Sequence, residues 1–411
     1  MLQRSHATHV RARVGCYDAA PMASPGIGRT LRVLLVAPLI VATSCVFGSK
    51  SSASETPTTP SASSSAGGCR LQTDSSVSGI HGNQLAAVAG SGPDDVWAVG
   101  SHFEMSRSGP LVQHWNGSSW DTMMSGNKEF DRLQLSGVDV LGAKDVWAVG
   151  FSYGGADSIH WDGTSWSEVP GARGRASSVF LGLAAVSPTE LWAVGKGPTR
   201  GGYDTPLVER SDGSSWTTVA VPVLDGFAAG LRDVSASGPS SVWAVGWSVG
   251  TDRVFRPLVE RWDGRRWSIV AVPRPDTDAL LSGVAVAGPD DVWAVGWSWQ
   301  GDAATSLTLH WDGKTWSRVS LPRASGEGGQ LATVAVVGDR VAIVGQARDG
   351  QGIFQPVAFS LSGTTWTDHA VPVQPSGGGF SGVMLLEHQG MIAVGNQLAS
   401  DGYGSLVQKG C

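Results

Sequence analysis

The sequence predicts an all-β fold, a ring of seven four-stranded units, and three observations predict it. The phrase Val-Trp-Ala-Val-Gly recurs with its tryptophan at 97, 147, 243 and 293, Trp192 belongs to a fifth copy, and Ala342-Ile-Val-Gly345 and Ile392-Ala-Val-Gly395 are degenerate copies, at steps of 45 to 51 residues. A second phrase, cleanest as Leu258-Val-Glu-Arg-Trp262-Asp-Gly264-Arg-Arg-Trp267, follows the first at a steady offset. Apolar residues alternate with period two, as in Trp293, Val295, Trp297 and Trp299, which is strand periodicity. Four short strands in a unit of about 50 residues are the signature of a β-propeller blade.

The fifth unit shows the expected elements in order. Leu281 to Ala287 is strand a, Val292 to Trp299 strand b, Ser306 to Trp311 strand c and Trp316 to Leu321 strand d. Gly-Pro-Asp-Asp and Asp-Gly-Lys-Thr supply the tight turns between a and b and between c and d, since these residues accept turn geometry without strain. Seven units of 49 residues use up residues 69–411, so no second domain fits there.

The seventh unit ends after strand c at Cys411, while the segment from Cys69 to Val77 precedes the first strand a and has no unit of its own. It is expected to serve as the missing outer strand, since an open ring would leave an unpaired edge. Aligned on the fourth unit, Cys411 falls where strand c turns toward d and Cys69 begins the incoming strand, so the two thiols are expected to be neighbours. A disulfide is one reading and two free cysteines the other.

Ahead of the ring lies a different composition. Arg29 and Arg32 precede an apolar run from Val33 to Val41, and Ala42, Thr43 and Ser44 precede Cys45, the order of a cleaved export signal. The run is too short to span a bilayer. Translation from Met22 would give a signal of ordinary length. Residues 1–44 are therefore expected to be a signal peptide, and residues 45–68 a tether, because residues 49–67 are almost entirely Ser, Ala, Thr, Pro and Gly. The stretch resembles a bacterial lipoprotein signal, whose final cysteine becomes a diacylated amino terminus, which would make Cys45 that residue. Ordinary secretion and a retained anchor are the other readings. The expected location is the extracytoplasmic face of the cell membrane through a lipid anchor, or the medium.

Charge narrows the partners. The chain carries 29 Lys and Arg against 35 Asp and Glu, and without residues 1–44 the balance is 24 against 34. No basic field is available for a phosphate backbone, which excludes nucleic acid. Fifteen of the 18 tryptophans occupy repeat positions and are expected to wedge between blades. Each buries about 200 Å², on the order of 5 kcal/mol gross.

With these residues in view, the chain resembles the Kelch-type propellers, with the central domain of galactose oxidase as a fold relative. The shared features are the unit length, the glycine ending strand b and the phrase Trp-Asp-Gly-x-x-Trp. Kelch units usually carry two glycines where this chain has one. WD-repeat proteins match less well, and in Trp161-Asp162-Gly163-Thr-Ser-Trp166 the aspartate sits directly before the glycine, so the sialidase Asp-box is not met. The resemblance implies a fold and no activity. Galactose oxidase needs a copper-bound tyrosine cross-linked to cysteine, whereas after residue 68 the tyrosines are 153, 203 and 403 and cysteine occurs only at the two ends.

No cofactor or metal motif appears, and no nucleophile or phosphate-loop signature. His114, His160 and His310 share one position before the strand c tryptophan, which points to a structural role. The expected function is therefore a non-catalytic, monomeric binding scaffold for a protein or glycan of the cell envelope. Its candidate surface is the face carrying the variable b-to-c and d-to-a loops. Trp247, Trp297 and Trp299, with Tyr203, Arg253, Phe255, Arg256 and Asp302, could form an aromatic and charged patch there. They could equally extend strand b and pack. The alternative function is a polysaccharide hydrolase or lyase with carboxylates converging from Asp225, Asp276, Asp278 and Glu327.

Overall fold

The computed structural model describes residues 70–410 apart from 78–81, 105–106, 127–129, 131, 170, 172–176, 199–201, 223, 225, 302, 323–326, 387–389 and 400–401. The expected signal and tether, Cys45, Cys69 and Cys411 all lie outside the described residues.

Among the described residues, twenty-eight strands form seven antiparallel four-stranded sheets, each ordered as its strands follow in sequence except the last. In the fifth blade the strands are β18 (Asp278–Gly288), β19 (Asp291–Gln300), β20 (Ala303–Trp311) and β21 (Trp316–Arg318). The first three run longer than the sequence suggests, and β21 is shorter than the expected strand ending at Leu321. Its ladder stops at Val319, whose N–H still donates to Thr308 O at 2.9 Å, and Pro322 has no N–H to offer beyond.

The innermost strands touch in sequence order around the ring: β2 (Asn83–Gly92), β6 (Gln134–Gly142), β10 (Val179–Ser187), β14 (Ala228–Gly238), β18, β22 (Glu327–Val337) and β26 (Gly378–Leu386), with β26 returning to β2. Closure is as the sequence suggests. β1 (Gln72–Thr73) pairs with β28 (Gly402–Gly410), so the last sheet reads β1, β28, β27 (Gly390–Ala399), β26. Gln72 stands opposite Lys409, and Asp74 N–H donates to Val407 O at 2.9 Å. Leu71 and Val77 flank this strand and are both buried.

The tryptophans join neighbouring blades. Trp97 lies 5.8 Å from both Trp161 and Trp166 of the second blade, Trp192 5.0 and 5.5 Å from Trp262 and Trp267 of the fourth, and Trp243 5.3 and 5.6 Å from Trp311 and Trp316 of the fifth. Strand b of one blade thus presents its indole to strands c and d of the next. The seventh blade has Ile392 at that place, and Trp115 and Trp120 of the first blade pack against it half-buried.

A β-bulge interrupts every innermost strand at one equivalent residue, recorded as a register shift between Leu85 and Ala87, Leu135 and Gly137, Phe180 and Gly182, Leu231 and Asp233, Leu281 and Gly283, Leu331 and Thr333, and Phe380 and Gly382. The bulge explains the glycine that ends each strand b. A Cβ on Gly150 would stand 1.9 Å from Gln134 O, and the same carbonyl approach recurs at Gly195 and Gly296.

Candidate functional site

The residues the sequence suggested as one patch fall into two aromatic groups. Tyr203 is 48% exposed and meets Phe227, 37% exposed, edge to face at 4.7 Å. The Arg253 guanidinium lies 5.2 Å from the Phe227 ring centroid. Two backbone bonds set this trio: Phe227 N–H donates to Val249 O at 2.7 Å, and Arg253 N–H closes a turn onto Gly250 O at 2.9 Å. Arg253 adopts φ 62° in that turn. The trio spans the loops of the third and fourth blades. Phe227 escaped the sequence reading because it lies in the short stretch just ahead of β14, outside the strand b exits that drew attention.

The second group is a ladder. Trp247, only 6% exposed, meets Phe255 at 5.4 Å, and Phe255 meets Trp299 at 5.5 Å across the blade boundary. Asp278 fixes the middle rung by accepting the Phe255 N–H at 2.7 Å. Arg256 is engaged by Asp252, Nη1 donating to Oδ1 at 2.9 Å and Nη2 to Oδ2. That hydrogen-bonded guanidinium holds the Asp252 carboxyl down at about 2. Trp247 therefore packs beneath the surface, and Trp299 is half-buried beside it. Trp297 belongs to neither group, and Asp302 lies outside the described residues.

The central channel is a cavity of about 220 Å³ lined by innermost-strand residues from all seven blades. The bulge residues Ala86, Ser136, Leu181, Arg232, Ser282, Ala332 and Ser381 ring it at one level. Two serines strap blades together. Ser136 Oγ donates to Phe180 O and Ser282 Oγ to Leu331 O, each at 2.6 Å. Asp233 does the same with a carboxylate: Oδ2 accepts from Val284 N–H and Oδ1 from Val234 N–H, both at 2.9 Å. Burial pushes its carboxyl up to about 6 in spite of those bonds. Asp139 repeats the pattern toward the third blade, accepting Ala185 N–H at 2.7 Å.

Arg232 is the cation of this ring. Its guanidinium carbon lies 5.9 Å from the Trp297 ring centroid. Among the described residues no hydrogen bond or ion pair engages it, although Asp233 is its sequence neighbour. Part of the side chain stays open to the channel, yet it sits deep enough that burial pulls its pKa down to about 10.

The repeated histidines are structural. Asp145 Oδ1 accepts from Trp147 Nε1 and bonds His160 Nε2, each at 2.8 Å, and the two rings stack at 4.3 Å. Asp95 with Trp97 and His114, and Asp291 with Trp293 and His310, repeat the arrangement. In the third and fourth blades Arg210 and Arg261 take the histidine's place over Trp192 and Trp243.

Of the proposed carboxylates, Asp276 is exposed, Asp278 is spent on a backbone amide, and Asp225 lies outside the described residues; Glu327 opens β22. Glu260 is a buried carboxyl the sequence did not single out: neither oxygen has a hydrogen-bond partner, and burial pushes it up to about 8. Among the described residues no three His, Cys, Asp or Glu side chains are placed to hold a metal ion.

No family model and no curated protein matches the chain. Among solved structures, YCF48 bound to D1 peptide is similar at TM-score 0.53 and 15% identity, over 83% of this chain and 94% of its own. A Trypanosoma rangeli sialidase in complex with sialic acid reaches TM-score 0.46 at 11% identity, over 79% of this chain and 54% of its own. The six-bladed fucose-recognising lectin of Aleuria aurantia reaches 0.44 at 13%, over 70% and 96%. At such identities the likeness is one of fold, and the fold of this chain is a seven-bladed β-propeller.

Proposed function

We propose that the chain is an extracytoplasmic binding propeller that takes a protein or glycan partner on its loop face. The observation that carries this reading is the exposed trio Tyr203, Phe227 and Arg253, presented by loops on a rigid frame, with the ladder of Trp247, Phe255 and Trp299 as a second aromatic group. Aromatic residues beside an arginine are the composition of binding hot spots. YCF48, a propeller of similar fold, is known with a peptide bound, which is said of that protein and lends this reading an example. Kinship with Kelch-type propellers, export, and attachment through a lipidated Cys45 belong to the same proposal and rest on the sequence.

Cross-linking in the native envelope tests it. Tyr203→Ala with Arg253→Ala should abolish the cross-linked partner while the melting temperature stays within about a degree, since surface changes cost within about 0.5 kcal/mol. Trp247→Ala should instead cost about 3–5 kcal/mol of stability. An unchanged cross-link in the double variant would sink the assignment of this face.

A further inference from the structure

We propose that the central channel holds a second site, separate from the loop face, which binds a small hydroxycarboxylate through Arg232.

The fold does not require an arginine here. Six of the seven equivalent bulge residues are Ala, Ser or Leu, so the ring closes without a charge at this level. The Arg232 guanidinium is partly desolvated by the surrounding strands and gains no hydrogen bond among the described residues in return. The adjacent Asp233 acts on it through charge alone and gives it no hydrogen bond. Both of its oxygens are turned into the seam between the fourth and fifth blades, where they accept Val234 and Val284 amides. Trp297 takes one aspect of the guanidinium by a cation–π contact at 5.9 Å and supplies no acceptor. The planar donor fork is left for a ligand, and carboxylate is the anion that matches it bidentately.

The neighbouring hydroxyls set the rest of the ligand. Ser136 and Ser282 line the cavity, and each hydroxyl hydrogen is committed to a carbonyl of the next blade at 2.6 Å. They can therefore only accept, which suits a ligand that brings its own hydroxyl donors. A single cation beside a carboxyl balances one negative charge, so a carboxylate fits better than a phosphate dianion. β14 begins at the loop face and Arg232 is its fifth residue, so a ligand enters from that side.

Calorimetric titration of the full-length protein tests the site, with D-glucuronate as probe and D-glucose and inorganic phosphate as controls. The expected result is saturable glucuronate binding, no glucose binding, and at least a tenfold loss in Arg232→Gln. Absent glucuronate binding, equal affinity for phosphate, or unchanged binding in Arg232→Gln overturns the proposal. Should that variant fail to fold, phenylglyoxal modification of the wild-type protein, mapped by mass spectrometry, decides. Glucuronate but not glucose should protect Arg232, and equal modification in both overturns the assignment.

Discussion

Thr73 stands opposite Gln408, 335 positions away in the chain, and Gln408 Nε2 donates to Thr73 Oγ1 at 3.3 Å. The pair marks the one blade assembled from both ends of the ring. Leu71, just before it, is buried in the same apolar cluster as Phe380, Met391 and Leu406. Leu71→Ala should therefore lower stability by about 2–5 kcal/mol in chemical denaturation, as for a core position. A midpoint equal to wild type would mean that the incoming strand contributes nothing to closure. We further propose that Cys69 and Cys411 are bonded, because their neighbours meet: a Cβ on Gly410 would stand 2.8 Å from Arg70 O. A non-reducing peptide map should show the two linked, and free thiols at both would refute the pairing.

Glu260 sets a pH dependence with a definite sign. Its carboxyl is raised from 4.5 to about 8 by burial, so the folded protein keeps a proton that the unfolded chain releases over that interval. The stability this group contributes is complete below the unfolded value and is lost as pH rises through the folded one. The melting temperature should fall as pH goes from about 4.5 to about 8. Glu260→Gln should flatten the upper part of that slope, leaving a weaker decline toward about 6 from Asp233, which is shifted in the same direction. A variant with the wild-type pH profile would show that the carboxyl is satisfied in some other way.

His160→Ala removes the stack on Trp147 and a ligand of Asp145 together. It should cost about 1–2 kcal/mol. His160→Arg should recover most of that, because Arg210 lies 5.5 Å from Trp192 and Arg261 5.0 Å from Trp243 at the equivalent place. Thermal melts of the two variants separate the outcomes: equal losses would mean that the imidazole itself is required.

The repeat phrases carried the fold, because each apolar position in them does the same packing seven times and the period survives even where tryptophan is lost at Ala342 and Ile392. Closure was legible for the same reason, a blade lacking a strand beside a strand lacking a blade. The sites were not. Alternation puts Trp293, Trp297 and Trp299 on one side of β19, yet Trp293 packs on Trp366 of the sixth blade while Trp297 and Trp299 meet Arg232 and Phe255 of the fourth. The bulge between Leu281 and Gly283 stands opposite Val295 and Gly296, between these tryptophans, so parity read at one end does not hold at the other. Arg232 was hidden by the bulge, since an extra residue breaks the period-two pattern by which a side chain is assigned to a face. Its meaning emerges only when seven such residues are seen around one axis.

The joint between the two ends is narrow. Among the described residues two ladder pairs, Gln72 with Lys409 and Thr73 with Gln408, join β1 to its sheet, whereas each of the other six blades is contiguous in sequence. Tension applied to the chain ahead of Arg70 would meet those two rungs before any other part of the wheel, so the molecule carries a mechanical fuse where it is sewn shut.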